Sequence, residues 1–196
     1  MKRLIVAITG ASGAIYGVRA LQALRATGKI EVHLVISPSA TRTLREETDF
    51  SLEDVRGIAN VVHNHKDIGA SIASGSFRTA GMIVVPCSVK TLSGIAHCYA
   101  EDLVIRAADV CLKERRRLVL LFRETPLHAG HISLMDQATR MGAIIMPPIP
   151  SFYSRPQVID DIVNQSVGRM LDLFDLSNDL VSRWAGTSDG ARVEKK

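Results

Sequence analysis

A glycine-rich segment, TGASGAIYG at residues 9–17, follows directly after the apolar run RLIVAI. A strand, a glycine-rich turn and a helix in this order can bind an anion, because the backbone N–H groups at a helix N-terminus attract phosphate. The same turn can also join a strand to a helix without binding any ligand. The segment therefore raises a nucleotide-binding hypothesis that the rest of the chain must test.

Two features argue against a dinucleotide. A dinucleotide-binding fold carries an acidic residue after its second strand to bind the ribose hydroxyls, whereas the second predicted strand here ends in Ser37-Pro38-Ser39. None of the three tyrosines has a lysine four positions later, so the pair typical of short-chain dehydrogenases is absent. Serine and threonine at several strand ends suit a phosphate monoester, and we interpret the site as one for flavin mononucleotide (FMN).

Strand and helix patterns alternate along the chain and predict the framework of this site. The strands are short and continuously apolar, which is typical of a parallel sheet buried on both faces. We therefore predict a doubly wound α/β fold, with a mainly parallel sheet and helices on both faces, similar to the Rossmann fold. Residues 51–80 are poorly periodic and predict only a loop-rich crossover with some helix. The predicted strands are 4–8, 31–37, 81–86, 118–122 and 143–147, and the predicted helices are 14–27, 39–47, 88–96, 102–117, 131–142 and 156–176.

Ligands of such sheets bind at the carboxyl ends of the strands. The side chains that follow the predicted strands should therefore converge on one edge, where they would offer hydroxyl groups, cations and one carboxylate. The candidates are Gly10, Ala11 and Ser12 after the first strand, Ser37 after the second, Ser88, Val89, Lys90 and Thr91 after the third, and Arg123 and Glu124 after the fourth.

Length and composition exclude several classes of protein. We assign residues 1–185 to a single FMN-binding domain and expect 186–196, which lacks core residues, to be a disordered tail. The apolar runs are too short for a membrane span, and a net charge of +4 is too small and too scattered to indicate nucleic-acid binding. Three cysteines without metal-type spacing favour a reducing compartment, and we expect a cytoplasmic protein.

Other reactive side chains have ordinary explanations. No cysteine or carboxylate cluster accompanies the pairs His63/His65 and His128/His131, so we predict no metal site. Cys87 follows a strand, but no histidine is placed by the sequence to activate it, which favours a small buried thiol.

Several segments in order resemble the UbiX-type flavin prenyltransferases, including the branch that is named after phenolic acid decarboxylases. The resemblance runs from about residue 3 to Trp184. It implies an enzyme that joins a dimethylallyl group from dimethylallyl monophosphate to reduced FMN, forming a ring between N5 and C6 of the isoalloxazine. It also implies a metal-independent homododecamer with sites at interfaces between protomers, which supplies prenylated FMN to a UbiD-type decarboxylase. The segments are TGASGAIYG, PCSVKTLSGIA, RAADVCLKERR, LLFRETPL, and FYSRP with the DDIV and VGRMLD that follow it.

The same resemblance implies roles for individual residues. The candidates at the strand ends, with Glu124 excepted, would bind FMN, and Glu47 and Trp184 would reach a site across an interface. We expect Glu124 to carry a proton, although an ordinary surface pair with Arg123 is the alternative. The resemblance implies that the residues that bind the substrate are Arg106, Lys113, Tyr153 and Arg169. It implies that the catalytic residues are Ser12, Glu47, Lys113, Glu124 and Trp184.

Prenyl transfer must stabilise a departing phosphate, which most prenyltransferases do with magnesium held by an Asp-Asp-x-x-Asp motif. Asp160-Asp161 is followed by IVNQ, so that motif is absent and cations and hydroxyl groups must serve instead. Arg106 and Lys113 lie within about 20° of each other around the predicted helix. The spacing alone favours a solvated face, with Asp109 paired to Lys113, and it is the family resemblance that favours phosphate binding instead.

Two other functions remain open from the sequence. An FMN-dependent decarboxylase of the peptidyl-cysteine type shares this architecture, but it carries a Met-Asn pair that does not occur here. A non-catalytic FMN carrier would need the FMN site without the phosphate-binding residues Arg106, Lys113, Tyr153 and Arg169.

Overall fold

Six parallel strands form one sheet in the computed structural model of the chain, which describes residues 1–184. In chain order they are β1 (Lys2–Ile8), β2 (Ile30–Ile36), β3 (Val61–His63), β4 (Gly81–Cys87), β5 (Arg117–Phe122) and β6 (Ala143–Ile145). Across the sheet the order is β3-β2-β1-β4-β5-β6, and every pairing is parallel. The strand order reverses between β1 and β4, as in a doubly wound fold. The predicted fold class is confirmed.

Helices cover both faces of the sheet. Within residues 1–184 they are α1 (Ala14–Thr27), α2 (Pro38–Glu47), α3 (Leu52–Ile58), α4 (Val89–Ala96), α5 (Leu103–Lys113), α6 (Ala129–Arg140) and α7 (Ile159–Asp172). Except in the edge strand β3, alternate residues of the strands enter two separate apolar cores, one with α1, α2, α3 and α7 and the other with α4, α5 and α6. Leu4 and Val6 of β1 face the first core, and Ile5 and Ala7 face the second.

Polar residues set the starts of the helices that lead into the site. The side chains of Ser37, Ser51, Ser88 and Asp102 each accept a hydrogen bond from a backbone N–H of the following turn, and so cap α2, α3, α4 and α5. Gly28 ends α1 in the left-handed region at φ 61°, where glycine has no Cβ to strain.

The crossover between β2 and β4 contains more order than the sequence predicted. The expected helix is α3, but residues 51–80 also contain the edge strand β3, so the sheet has six strands within the described residues rather than the five predicted. Three residues, two of them exposed valines, are too few to show a period of two.

The predicted helix 102–117 is wrong at its end, because α5 ends at Lys113. Arg115 takes a left-handed conformation at φ 56°, and the backbone N–H of Arg116 closes the helix end. Arg117 then begins β5. The run of cations was a sound sign of a helix C-terminus, but it did not show which of its members was the last helical residue.

The predicted helix 156–176 is also too long at both ends, since α7 spans 14 residues. The Asp161 carboxylate accepts hydrogen bonds from the N–H groups of the two residues before the helix. This cap leaves Pro156 outside the helix rather than in its first turn.

No helix among residues 1–184 is both long and apolar enough to cross a membrane. The predicted tail at 186–196 lies outside the described residues.

Candidate functional site

The carboxyl ends of the central strands bring many of the predicted FMN-binding residues together. A cavity of about 490 Å³ is lined by Gly10, Ser37, Ser88, Lys90 and Thr91, among others. It lies at the edge of the sheet where the strand order reverses between β1 and β4, which is the usual ligand position in such folds. We call this the switch-point cavity.

Thr9 joins the ends of β1 and β4 next to the switch-point cavity, although it was not a candidate site residue from the sequence. Its hydroxyl donates to the carbonyl of Pro86 (2.7 Å) and accepts from the backbone N–H of Ser88 (2.9 Å). The side chain is almost fully buried, so these bonds hold the ends of β1 and β4 at a fixed spacing. A hydroxyl residue directly after a buried strand was the available signal.

The start of α4 supplies hydroxyl groups to the same cavity. Ser88 accepts a hydrogen bond from the backbone N–H of Thr91, and the two hydroxyl oxygens lie 3.1 Å apart. Lys90, on the same turn, pairs with Glu101 at 3.3 Å. Hydroxyl groups, a cation and the N-terminus of a helix therefore face one cavity, which suits the phosphate of a mononucleotide.

Gly10 is required by the close approach of two backbones. A Cβ at this position would overlap the Cβ of Ser39, at the start of α2. Only glycine therefore lets the turn after β1 lie against α2 and form this wall of the cavity.

A second cavity, also of about 490 Å³, opens at the carboxyl ends of β5 and β6. It holds the remaining predicted polar residues Ser12, Arg123 and Glu124. The rest of its lining is mostly apolar and includes Tyr16 and Phe122. We call it the apolar cavity, since it offers one carboxylate and one guanidinium group beside a largely hydrophobic wall.

Glu124 is half-buried in the apolar cavity. Its carboxylate accepts a hydrogen bond from the backbone N–H of Thr125 at 3.0 Å. No ion pair forms between Glu124 and Arg123, both of which are described residues, so the alternative of a plain surface pair is wrong.

The Glu47 carboxylate lies at the N-terminus of α1, against the glycine-rich turn that follows β1. Its carboxylate accepts from the backbone N–H groups of Gly13 (2.7 Å) and Ala14 (3.1 Å). Burial raises the pKa of Glu47, but hydrogen bonds from Ser12, Gly13 and Ala14, together with the charge of Arg123, outweigh it and lower the pKa. The anion at this helix end is thus a carboxylate of the chain itself, and a phosphate is better accommodated at the start of α4.

Arg106 and Lys113, predicted to bind the substrate phosphate, lie on α5. The Arg106 guanidinium donates to the carbonyl of Ala73 (3.2 Å) and to the carboxylate of Asp109 (2.8 Å). Lys113 pairs with Glu114. The alternative that paired Asp109 with Lys113 is therefore wrong, because Asp109 pairs with Arg106 instead.

Tyr153, predicted to bind the substrate, and Trp184, predicted to act in catalysis, lie together beside α7. Their rings meet edge to face, with centroids 5.7 Å apart. Arg169 pairs with Asp172 at 2.9 Å on the exposed side of α7, and Arg183 bonds the same carboxylate. The described contacts thus join Tyr153 to Trp184, whereas they join Arg169 to another group.

The four residues predicted to bind the substrate phosphate fall into two separate pairs. Arg106 and Lys113 lie on α5, which packs on one face of the sheet, whereas Tyr153 and Arg169 belong to the region of α7 on the other face. The sheet separates the two pairs, so one chain alone does not assemble this predicted site.

His63, His128, His131 and Cys87 take structural positions, whereas His65 lines the switch-point cavity. His63 hydrogen-bonds His33 between ring nitrogens at 2.9 Å, and His128 stacks on His131. Among residues 1–184, no group of three or more His, Cys, Asp or Glu is placed to hold a metal ion. Cys87 is fully buried, so the prediction of a small buried thiol is confirmed, and burial raises the pKa of that thiol far above the ordinary range.

A larger cavity, of about 600 Å³, lies at the opposite edge of the sheet. Its lining includes Lys2, Arg117 and Phe174 and none of the predicted site residues. The helix C-termini reach this edge, and cations there complement the helix dipoles.

The chain is similar in sequence and in structure to known flavoproteins. Residues 1–182 match the family model Flavoprotein. The chain is 62% identical over 188 residues to the flavin prenyltransferase UbiX of Escherichia coli strain K12, covering 95% of this chain and 100% of that protein. A solved structure of AnUbiX in complex with FMN and dimethylallyl pyrophosphate is 52% identical, with a TM-score of 0.93, and the match covers 95% of this chain and 98% of that one. A dodecameric FMN-dependent UbiX-like decarboxylase from Escherichia coli O157:H7 is also 52% identical, with a TM-score of 0.92 and coverage of 94% and 100%.

Proposed function

The chain belongs to the flavoprotein family and, within it, to the UbiX flavin prenyltransferases, and on this premise we propose that it joins a dimethylallyl group to reduced FMN. The prenyl donor is dimethylallyl monophosphate, and prenylated FMN is the product. The observation that carries the proposal is the high identity to a flavin prenyltransferase over the whole of that protein. We assign residues 1–185 to the FMN-binding domain.

The two cavities at the carboxyl edge fit the parts of FMN. In the switch-point cavity, the start of α4 with Ser88 and Thr91 would bind the phosphate. In the apolar cavity, Ser12 and Arg123 would contact the flavin ring. When bound, reduced FMN supplies the nucleophilic positions N5 and C6. The chain's own contribution is to hold that ring beside a carboxylate and away from water.

Cations and hydroxyl groups would stabilise the departing phosphate. Arg106 and Lys113 of one protomer would meet Tyr153 and Arg169 of another, because the sheet separates the two pairs within a chain. A dodecameric relative of this fold supports such an assembly, and we propose a homododecamer. An arginine binds two phosphate oxygens at once, which suits a site that neutralises a leaving group.

Glu124 would move the proton that the reaction requires. Its position in the apolar cavity, beside a ring-sized space, allows it either to donate to the departing phosphate or to accept a proton from the flavin ring as it closes. Ser12 lines the same cavity and also helps to lower the pKa of Glu47, so its hydroxyl lies between that carboxylate and the space proposed for the flavin ring.

Anaerobic incubation with reduced FMN tests the proposal. One arm adds dimethylallyl monophosphate and a second adds dimethylallyl pyrophosphate. The expected result is a flavin whose mass rises by one dimethylallyl group and whose absorbance changes, with the monophosphate preferred. Bound FMN with no mass change in either arm would favour a carrier, and release of carbon dioxide from a peptide with a C-terminal cysteine would favour the peptidyl-cysteine type of decarboxylase.

Prenylated FMN, the proposed product, would serve as the cofactor of a second enzyme. We propose that a UbiD-type decarboxylase receives the prenylated FMN, and that this occurs in the cytoplasm, where three free cysteines would stay reduced. Apo-decarboxylase of that type should gain activity when mixed with the reaction products and should gain none when either substrate is omitted.

A further inference from the structure

Gln165 is a buried polar residue on α7 that was not a candidate from the sequence. Its side-chain nitrogen donates to the hydroxyl oxygen of Tyr153 at 2.9 Å. Its side-chain oxygen accepts from the backbone N–H of Ser182 at 3.0 Å, and its nitrogen also reaches the carbonyl of Ser182 at 3.5 Å. Only 5% of the residue is exposed, so these protein contacts replace water.

The backbone of Ser182 fixes which way the Gln165 amide points. An N–H group can only donate and a carbonyl can only accept, so the amide oxygen must face the first and the amide nitrogen must face the second. A flipped amide would set donor against donor and acceptor against acceptor in a buried position. The amide nitrogen is therefore the atom directed at Tyr153.

The direction of that bond determines what the Tyr153 hydroxyl can do. Because its oxygen accepts from Gln165, its own hydrogen is not used in this contact. Within residues 1–184 the hydroxyl makes no other hydrogen bond, and Tyr153 is about half exposed. A hydroxyl in this state is available as a donor, which is what an anion requires.

We propose that Gln165 is a positioning residue: its amide, oriented by Ser182, presents the Tyr153 hydroxyl as a hydrogen-bond donor to the substrate phosphate. The inference rests on the proposed function. Gln165 donates the hydrogen bond and Tyr153 accepts it, and this direction, in addition to the packing of the two side chains, contributes to substrate binding.

Gln165→Glu tests this polarity with little change in shape. A glutamate oxygen still accepts from the Ser182 N–H, but the second oxygen cannot donate to Tyr153 and instead accepts its proton. The KM for dimethylallyl monophosphate should rise about tenfold or more, as expected for the loss of a hydrogen bond to a charged group. The Kd for FMN should stay unchanged. Gln137→Glu is the matched control, because Gln137 is a partly exposed glutamine on α6 whose amide bonds Ser133, and it should leave both constants unchanged.

A double-variant cycle separates positioning from structure. Tyr153→Phe alone should raise the same KM, and adding Gln165→Glu to it should raise KM little further, because both changes remove one donor. Effects that multiply would overturn the inference, as would an unchanged KM in Gln165→Glu.

Gln165→Met covers the case in which the glutamate variant is unstable. It removes the donor without adding an acceptor for the Tyr153 proton, so its KM should rise less than that of Gln165→Glu. An equal loss in both variants, accompanied by equal falls in thermal stability, would mean a merely structural role and would overturn the inference. If the wild-type protein transfers no prenyl group, it is the proposed function that fails.

Discussion

Predicted site residues at the carboxyl edge of the sheet are brought together within one chain. Those on the outer surfaces of α5 and α7 are not. At the edge, one chain forms two cavities, and Thr9, Ser88 and Glu47 are already fixed by hydrogen bonds within the protomer. On the helices, Arg106 and Arg169 are held by neighbouring carboxylates on opposite faces of the sheet.

The difference follows from topology. Parallel strands end at one edge, so residues that follow different strands meet without any further assembly. Residues on helices that cover opposite faces cannot meet through the sheet, and ion pairs on an exposed surface contribute little stability. We infer that the fold encodes the flavin site within one chain, whereas the phosphate site requires a second copy.

The largest effect is expected inside the edge region, at Glu124. Glu124→Gln keeps the shape of the side chain but removes its capacity to carry a proton, so prenyl transfer should fall by about 100-fold or more. FMN should bind as before. Product formation followed by mass under anaerobic conditions measures the first, and flavin fluorescence titration measures the second.

Glu53→Gln is the control for that experiment, because Glu53 is exposed on α3 and pairs only with Arg56 among the described ion pairs. It should leave both measurements unchanged. Undiminished product formation in Glu124→Gln would remove this carboxylate from the mechanism and would weaken the view of the edge as the reacting region.

Mixed oligomers test the division between edge and helices directly. Arg106→Ala and Arg169→Ala should each be nearly inactive alone. Co-expressed with different tags, they should form mixed oligomers in which about a quarter of the shared sites carry both arginines, because each protomer contributes one side of a site. Activity of purified mixed oligomers should therefore recover to about a quarter of the wild-type value.

A site formed by one chain predicts the opposite result. Every chain in the mixture lacks one of the two arginines, so activity would stay at the level of the single variants. That outcome would show that the two pairs do not meet across an interface.

The sequence predicted the residues at the carboxyl edge of the sheet better than the contacts of the residues on the helices. The strand-end residues were found because the strands are continuously apolar and their ends must converge. Glu47 was named only through a family resemblance, and its cap on Gly13 joins residues 34 positions apart, which no local pattern reveals. The spacing of Arg106 and Lys113 predicted a common side of α5 but not that Asp109 would pair with Arg106.

Gln165 shows a second limit of sequence reasoning. A glutamine within an amphipathic helix is typical of a surface position, and the partners of its amide, Tyr153 and the backbone of Ser182, lie 12 and 17 positions away along the chain. The end of α5 was missed for a related reason, since several consecutive cations satisfy the helix dipole equally well and the left-handed Arg115 decides the boundary.

A smaller effect is expected from the wall between β1 and α2. Gly10→Ala places a Cβ against Ser39, so the turn or the start of α2 must move and the switch-point cavity must change shape. The Kd for FMN should rise about tenfold, as expected for overpacking of about 1–2 kcal/mol. Gly57→Ala on α3 is the matched control, because a Cβ there meets nothing within 4 Å, and FMN affinity should not change.

The smallest effect is expected at Glu47, where the edge region meets the helix dipole of α1. The hydrogen bonds from Ser12, Gly13 and Ala14 lower the pKa of Glu47 despite its partial burial, so the ionised carboxylate stabilises the folded state at neutral pH. Because the folded-state pKa lies below the unfolded one, that contribution is lost as the pH falls through the folded-state value.

Glu47→Gln should therefore reduce the free energy of unfolding by about 0.5–1 kcal/mol at pH 7, a magnitude kept small by solvent exposure. In urea titrations the difference between the two proteins should shrink as the pH falls from the ordinary pKa of a glutamate through the lowered pKa of Glu47. Glu46→Gln, next to it on α2, removes only an exposed pair with Arg42 and should show a smaller loss at pH 7. Equal losses in the two variants would mean that the cap on α1 contributes no more than a surface ion pair.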